Sequence, residues 1–151
     1  MSWRAITEAD VLKKISSVEL DSFREIVLGN DQADPVQPAI TDITAEVRGH
    51  VASSGVDMDA DTSTIPDRLI RSAVAKIIID IMTRAGGTLI DPEGARAKAA
   101  DKADKLFVRV ADGKFSIADP VTEEESGEAA PKPIYTPSRK RTTTRQQQEG
   151  L

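Results

Sequence analysis

The chain is 151 residues long, carries 20 Lys/Arg against 25 Asp/Glu for a net charge of -5, and contains no cysteine and a single histidine. No disulfide framework or thiolate metal site is therefore possible, and one histidine excludes a His-based metal cluster. The acidic balance argues against a uniformly basic DNA-coating protein, no signal-peptide pattern fits the first residues, and the longest apolar run, Ile77-Ile78-Ile79, is far short of a membrane span, so the expectation is a soluble intracellular protein.

Thr7, followed by Glu8 and Asp10, reads as the N-cap of a short first helix with Ile6, Ala9, Val11, Leu12 and Ile15 as its apolar positions. Ser16-Ser17-Val18-Glu19 offers a capping box for a second helix, which Gly29-Asn30 stops. Asp34-Pro35 or Gln37-Pro38 opens a third, because proline is tolerated in the first helical turn. In it Ile40, Ile43, Val47 and Val51 form a narrow apolar stripe, leaving Asp42, Glu46 and Arg48 for solvent or partners.

Residues 53–64, rich in Ser, Gly, Asp and Thr, form a loop before Ile65-Pro66 begins a fourth helix. This is the most hydrophobic element, with Leu69, Ile70, Ala73, Val74, Ile77, Ile78, Ile81 and Met82 on a wide arc, Ile79 on its flank, and a polar strip of Arg68, Ser72, Lys76, Asp80 and Arg84. It is either the central helix of the monomer or in part a subunit interface. Gly86-Gly87 ends it in a left-handed cap. Asp91-Pro92-Glu93 then starts a fifth helix as N-cap, N1 proline and first-turn acid, with Ala95, Ala99 and Ala103 and later Leu106, Phe107 and Val110 facing inward.

Asp112-Gly113 is expected to turn the chain into a short β-strand, Lys114-Phe115-Ser116-Ile117, whose backbone groups need partners, most simply an element from a neighbouring chain. The fold class is thus all-α: a bundle of about five helices over residues 1–118 with a short C-terminal strand, followed by an extended C-terminal arm over residues 119–151. The body holds 15 bases and 19 acids. Residues 119–131 carry five acids and no base, and residues 132–151 carry five bases and one acid. With so few apolar residues the arm is expected to order only on binding.

Asp57, Asp59 and Asp61 have the alternation of a calcium loop, but Thr62 and Arg68 occupy the positions that need glycine and a bidentate acid, so a solvated acidic loop is expected. His50 is read as a polar helix position. Gly86-Gly87 follows a helix, not a strand, and is no phosphate loop. No nucleophile, acid-base pair or cofactor motif is evident, and a non-enzymatic protein without cofactor or metal is expected. Arg139, Lys140, Arg141 and Arg145 form the dense basic run, suited to nucleic acid or to an acidic protein partner. Trp3 either pins the chain end to the core or docks on a neighbouring subunit.

The opening Ala5-Ile6-Thr7-Glu8-Ala9-Asp10-Val11, the Ala39-Ile40-Thr41-Asp42-Ile43-Thr44-Ala45-Glu46-Val47 helix, the Ile65-Pro66-Asp67-Arg68-Leu69-Ile70 restart and the Ala111-Asp112-Gly113-Lys114-Phe115-Ser116-Ile117 ending together resemble the small helical head-tail connector (adaptor) proteins of tailed bacteriophages, of the Mu-like and siphophage group. The resemblance covers roughly residues 4–118. It departs from the family pattern over Val56–Thr64, where an aromatic often precedes the proline, and it does not extend to the arm.

The resemblance implies a homo-oligomeric ring, usually twelvefold, beneath the portal protein. Such a ring contacts a tail or stopper/terminator protein, leaves a channel for genomic DNA without sequence-specific binding, and resides in the virion after assembly in the host cytoplasm. Interface residues are expected at Trp3, Ile79, Phe115, Ile117, Ile134 and Tyr135. The alternative is a DNA-associated accessory protein acting through Arg139, Lys140, Arg141 and Arg145.

Overall fold

A computed structural model of the chain describes residues 2–87 and 90–117. In chain order its elements are strand β1 (Trp3–Ala5), helices α1 (Glu8–Leu12), α2 (Ser17–Leu28) and α3 (Val36–Ser53), strand β2 (Thr64–Pro66), and helices α4 (Asp67–Arg84) and α5 (Ala95–Ala111). The protein is a helical bundle with one short antiparallel pair, in which Trp3 faces Pro66, Arg4 faces Ile65 and Ala5 faces Thr64.

Helix α4 is the axis of the bundle and packs against α1, α2, α3, α5 and β2. All eight residues of its predicted arc are buried, Leu69, Ala73 and Ile77 completely. Each fully buried Leu or Ile contributes roughly 1.5 to 3 kcal/mol, so one chain satisfies this face and the central-helix alternative holds. Phe107 and Val110 of α5, Val47 and Val51 of α3, and Val11 of α1 close the core around it.

Helix ends follow local chemistry with some departures from expectation. The Asp10 carboxylate accepts from the Thr7 backbone N–H at 3.1 Å, as a capping residue should. The Ser16 hydroxyl accepts from the Glu19 N–H at 3.2 Å, but the Glu19 carboxylate does not close the capping box. Its oxygens are taken by Arg96 of α5, where a charged bidentate donor outcompetes a single backbone N–H. Of the two candidate starts for α3, Asp34-Pro35 is the one used, with Asp34 accepting from the Val36 N–H at 2.9 Å. Helix α2 ends after Leu28, and the left-handed residue is Asp31 (φ 56°), three positions on.

Asp91 caps a turn and not a helix: its side chain accepts from the Glu93 N–H and its carbonyl from the Gly94 N–H, and α5 begins at Ala95. The expected inward face of α5 is therefore wrong in its first half. Ala100 and Ala103 are buried while Ala95 and Ala99 are exposed; alanines carry too weak a hydrophobic signal to set the phase.

Residues 114–117 form no strand. Asp112-Gly113 is a helix C-terminus: Gly113 (φ 68°) donates to the Val110 carbonyl and Lys114 to the Arg109 carbonyl, the Schellman pattern. Gly86 and Gly87 end α4 in the same way, donating to Thr83 and Met82. The inside-outside alternation expected at 115–117 is present, with Phe115 half-buried, Ser116 exposed and Ile117 buried. It arises from the chain folding back on its own core, and the strands of the fold lie instead at Trp3–Ala5 and Thr64–Pro66.

Candidate functional site

The start of α4 is a polar joint between elements distant in sequence. Asp10, 6% exposed, receives Arg4 Nη1 at 2.8 Å and Lys13 Nζ at 2.9 Å, and Arg4 Nε reaches Asp67 at 3.1 Å. The Arg4 guanidinium, joined by Lys13 and Thr7, outweighs the burial of Asp10 and holds its carboxyl far below the usual carboxylate range. The Asp67 N–H donates to the Ser2 carbonyl, extending the β1–β2 pairing.

Arg48 of α3 completes the joint. It donates to the carbonyls of Asp59, Asp61 and Thr64 at 2.8 to 2.9 Å and lies 5.5 Å from the centroid of the Trp3 ring. At the other side, Arg68 Nη1 donates to the Ser116 carbonyl at 3.2 Å. Arg48 was expected to face solvent or partners, because a charged residue off the apolar stripe reads as exposed. Its actual role is to hold the 59–64 loop against β1.

Lys76, on the polar strip of α4, bridges Glu46 of α3 and Asp104 of α5, each at 2.6 Å. Burial works against its charge, yet the two carboxylates prevail and raise its pKa above the ordinary value. Arg84 likewise joins Asp80 to Asp42 of α3. The strip thus locks helices of one chain together and is not a free polar surface.

A concavity of about 910 Å³ lies between α4 and α5. Ala75, Ile78, Ala99 and Leu106 contribute its apolar floor, Lys14, Arg71, Arg96, Lys98, Lys102, Lys105 and Arg109 its rim, and among the described residues no carboxylate lines it. The sequence does not reveal this surface, because its cations are scattered over α4, α5 and the turn after α1 and its floor includes alanines.

Of the expected interface residues, four lie among the described residues. Trp3 lies half-buried on β1 beneath Arg48, and Ile79 and Phe115 are half-buried against the core. Ile117 is only 3% exposed within its own chain and lies in no strand, so it is covered without a neighbour, contrary to expectation. Ile134, Tyr135, Arg139, Lys140, Arg141 and Arg145 lie outside the described residues. His50 stacks on Phe107 with centroids 5.9 Å apart. In the acidic loop, Asp59 accepts from the Asp61 N–H and the Thr64 hydroxyl, and Asp61 from Ser63, so these carboxylates cap turns. Among the described residues no group of three or more His, Asp or Glu is placed to hold a metal ion, and no described helix is long and apolar enough to cross a membrane.

No protein-family model, curated protein or solved structure matches the chain.

Proposed function

We propose that this chain is a structural head-tail connector (adaptor) subunit of a tailed bacteriophage. In this reading it is non-enzymatic: copies form a ring beneath the portal, join capsid to tail, and leave a channel through which the genome passes without sequence-specific contacts. It assembles in the host cytoplasm and ends in the virion.

One observation carries the reading. Three of the four segments that resemble connectors are far apart in sequence yet meet around the start of α4, and the residue that follows the fourth reaches the same place. Ala5 of the first segment pairs with Thr64, adjoining the Ile65-Pro66 restart. Arg48, next to the third-helix segment, holds the Thr64 carbonyl. Arg68 of the restart reaches Ser116 of the last segment. Motifs that build one joint support a family reading more strongly than the same motifs scattered over unrelated surfaces.

The test is co-expression of the full chain with the portal protein of the same genome, followed by electron microscopy. A ring of added density stacked on the portal is the expected result. A portal that purifies without this chain under assembly conditions overturns the reading.

A further inference from the structure

We infer that the basic groove between α4 and α5 receives the outer face of α2 from a second copy of this chain. This deepens the ring-subunit reading and rests on it for closure into a ring, while the pairing of the two faces rests on their own geometry and charge.

Among the described residues nothing fills the groove, because Ala95 and Ala99 set the α5 surface low, and both are exposed. Its rim is strongly positive. Among the described residues Lys14, Arg71, Lys102, Lys105 and Arg109 make no ion pair, and Lys98 has only a loose one, 3.4 Å from the exposed Glu93. An occupant must therefore offer both aliphatic surface and negative charge.

The outer face of α2 offers both. Val18, Asp21, Glu25 and Leu28 follow one another at spacings of three, four and three and so share one helix face. Val18 is 75% exposed and Leu28 54%, the two most exposed large hydrophobics described. Glu25 has no described partner. Asp21 has only Arg24 at 3.6 Å, and Arg24 is already committed to Glu8 and Asp34 at 2.8 and 3.0 Å. The lengths match as well: α2, with 12 residues, is ~18 Å long, and α5 from Ala95 to Arg109 runs ~22 Å.

A nucleic-acid backbone is the competing occupant and fits less well. Phosphates gain nothing from an apolar floor, and among the described residues no aromatic side chain lines the groove for bases to stack on. Because the two faces are different surfaces of one chain, the contact is heterologous. Each copy keeps one face free for the next, which is the requirement for a ring.

The natural absence of cysteine makes disulfide trapping specific. Ser22→Cys on α2 and Ala99→Cys in the groove are placed in one chain and oxidised mildly, alone at high concentration and again with the portal. Thr41→Cys on the exposed side of α3 replaces Ser22→Cys as control. A ladder of linked dimers, trimers and higher species, absent from the control, is expected in at least one setting. Glu25→Lys or Lys102→Glu alone should cut the ladder about tenfold, and the two together in one chain should restore it. Circular dichroism confirms that each variant folds.

No ladder in either setting, or one equal to the control, overturns the inference. So does duplex-DNA binding that Lys102→Glu abolishes while no ladder forms. A ladder without portal binding keeps the face pairing and removes the connector reading; portal binding without a ladder does the reverse.

Discussion

Arg96 and Glu19, 77 residues apart in sequence, are joined side by side, with both terminal guanidinium nitrogens of Arg96 donating to the two carboxylate oxygens of Glu19 and Nη2 at 2.8 Å. This fork clamps the start of α5 onto the start of α2 and lowers the Glu19 pKa. Both side chains are more than a third exposed, so solvent screening limits the pair to about 0.5 to 1 kcal/mol. A double-mutant cycle on Glu19→Gln and Arg96→Gln, read by urea denaturation, should return a coupling of that size. Arg96→Lys should lose most of it, because a lysine cannot reproduce the two-pronged geometry.

Asp10 should govern acid stability. Its folded pKa lies below the ordinary value, so its contribution is fully present above the unfolded carboxyl range, about pH 4, and is lost as pH falls from there towards the folded value. Asp10→Asn should cost about 2 kcal/mol at neutral pH by removing the carboxylate charge that Arg4 and Lys13 share. The gap between variant and wild type should narrow in thermal melts below about pH 4.

Lys76 titrates in the opposite sense. Its folded pKa is raised above 10.5, so its contribution is present below that value and is lost as pH rises through the folded value. Lys76→Met should destabilise by about 1 to 2 kcal/mol, since Glu46 and Asp104 then converge without a cation. The deficit should shrink in acid, where those carboxylates protonate; a deficit independent of pH would mean that lost packing dominates.

Thr44 is 4% exposed and its hydroxyl has no hydrogen-bond partner among the described residues. Thr44→Val keeps the branched shape and removes an unpaired buried polar atom. It should stabilise the protein by about 1 kcal/mol in chemical denaturation.

Gly86 has φ 114° and open space where a Cβ would sit. Gly86→Ala meets no clash with a neighbour, so its cost is purely conformational, about 1 to 2 kcal/mol. Gly49, helical and equally open, is the control: Gly49→Ala should be neutral or stabilising by up to about 1 kcal/mol.

Legibility in the sequence tracked the strength of the local signal. The arc from Leu69 to Met82 placed α4 in the core because large aliphatic side chains recur at helical spacing. Thr7, Ser16, Pro35 and the Gly86-Gly87 pair marked helix ends because their preferences are local. Asp112-Gly113 located a turn correctly but not its kind, since glycine at positive φ serves a hairpin and a helix terminus equally well. Arg48 looked like a solvent residue because the carbonyls it binds come from a loop that only the fold returns to α3.

Helix content, most helix ends and the apolar arc of α4 were determined by the sequence alone, because backbone preference and hydrophobic periodicity act over a few residues. Tertiary structure alone decided which charges are spent and which are left over. Lys76, Arg84 and Arg96 are consumed by carboxylates on other helices, whereas Lys14, Arg71 and Lys102 are gathered around an alanine-floored groove. Ion pairing and groove shape depend on distances across the bundle, and those distances exist only once the helices have packed.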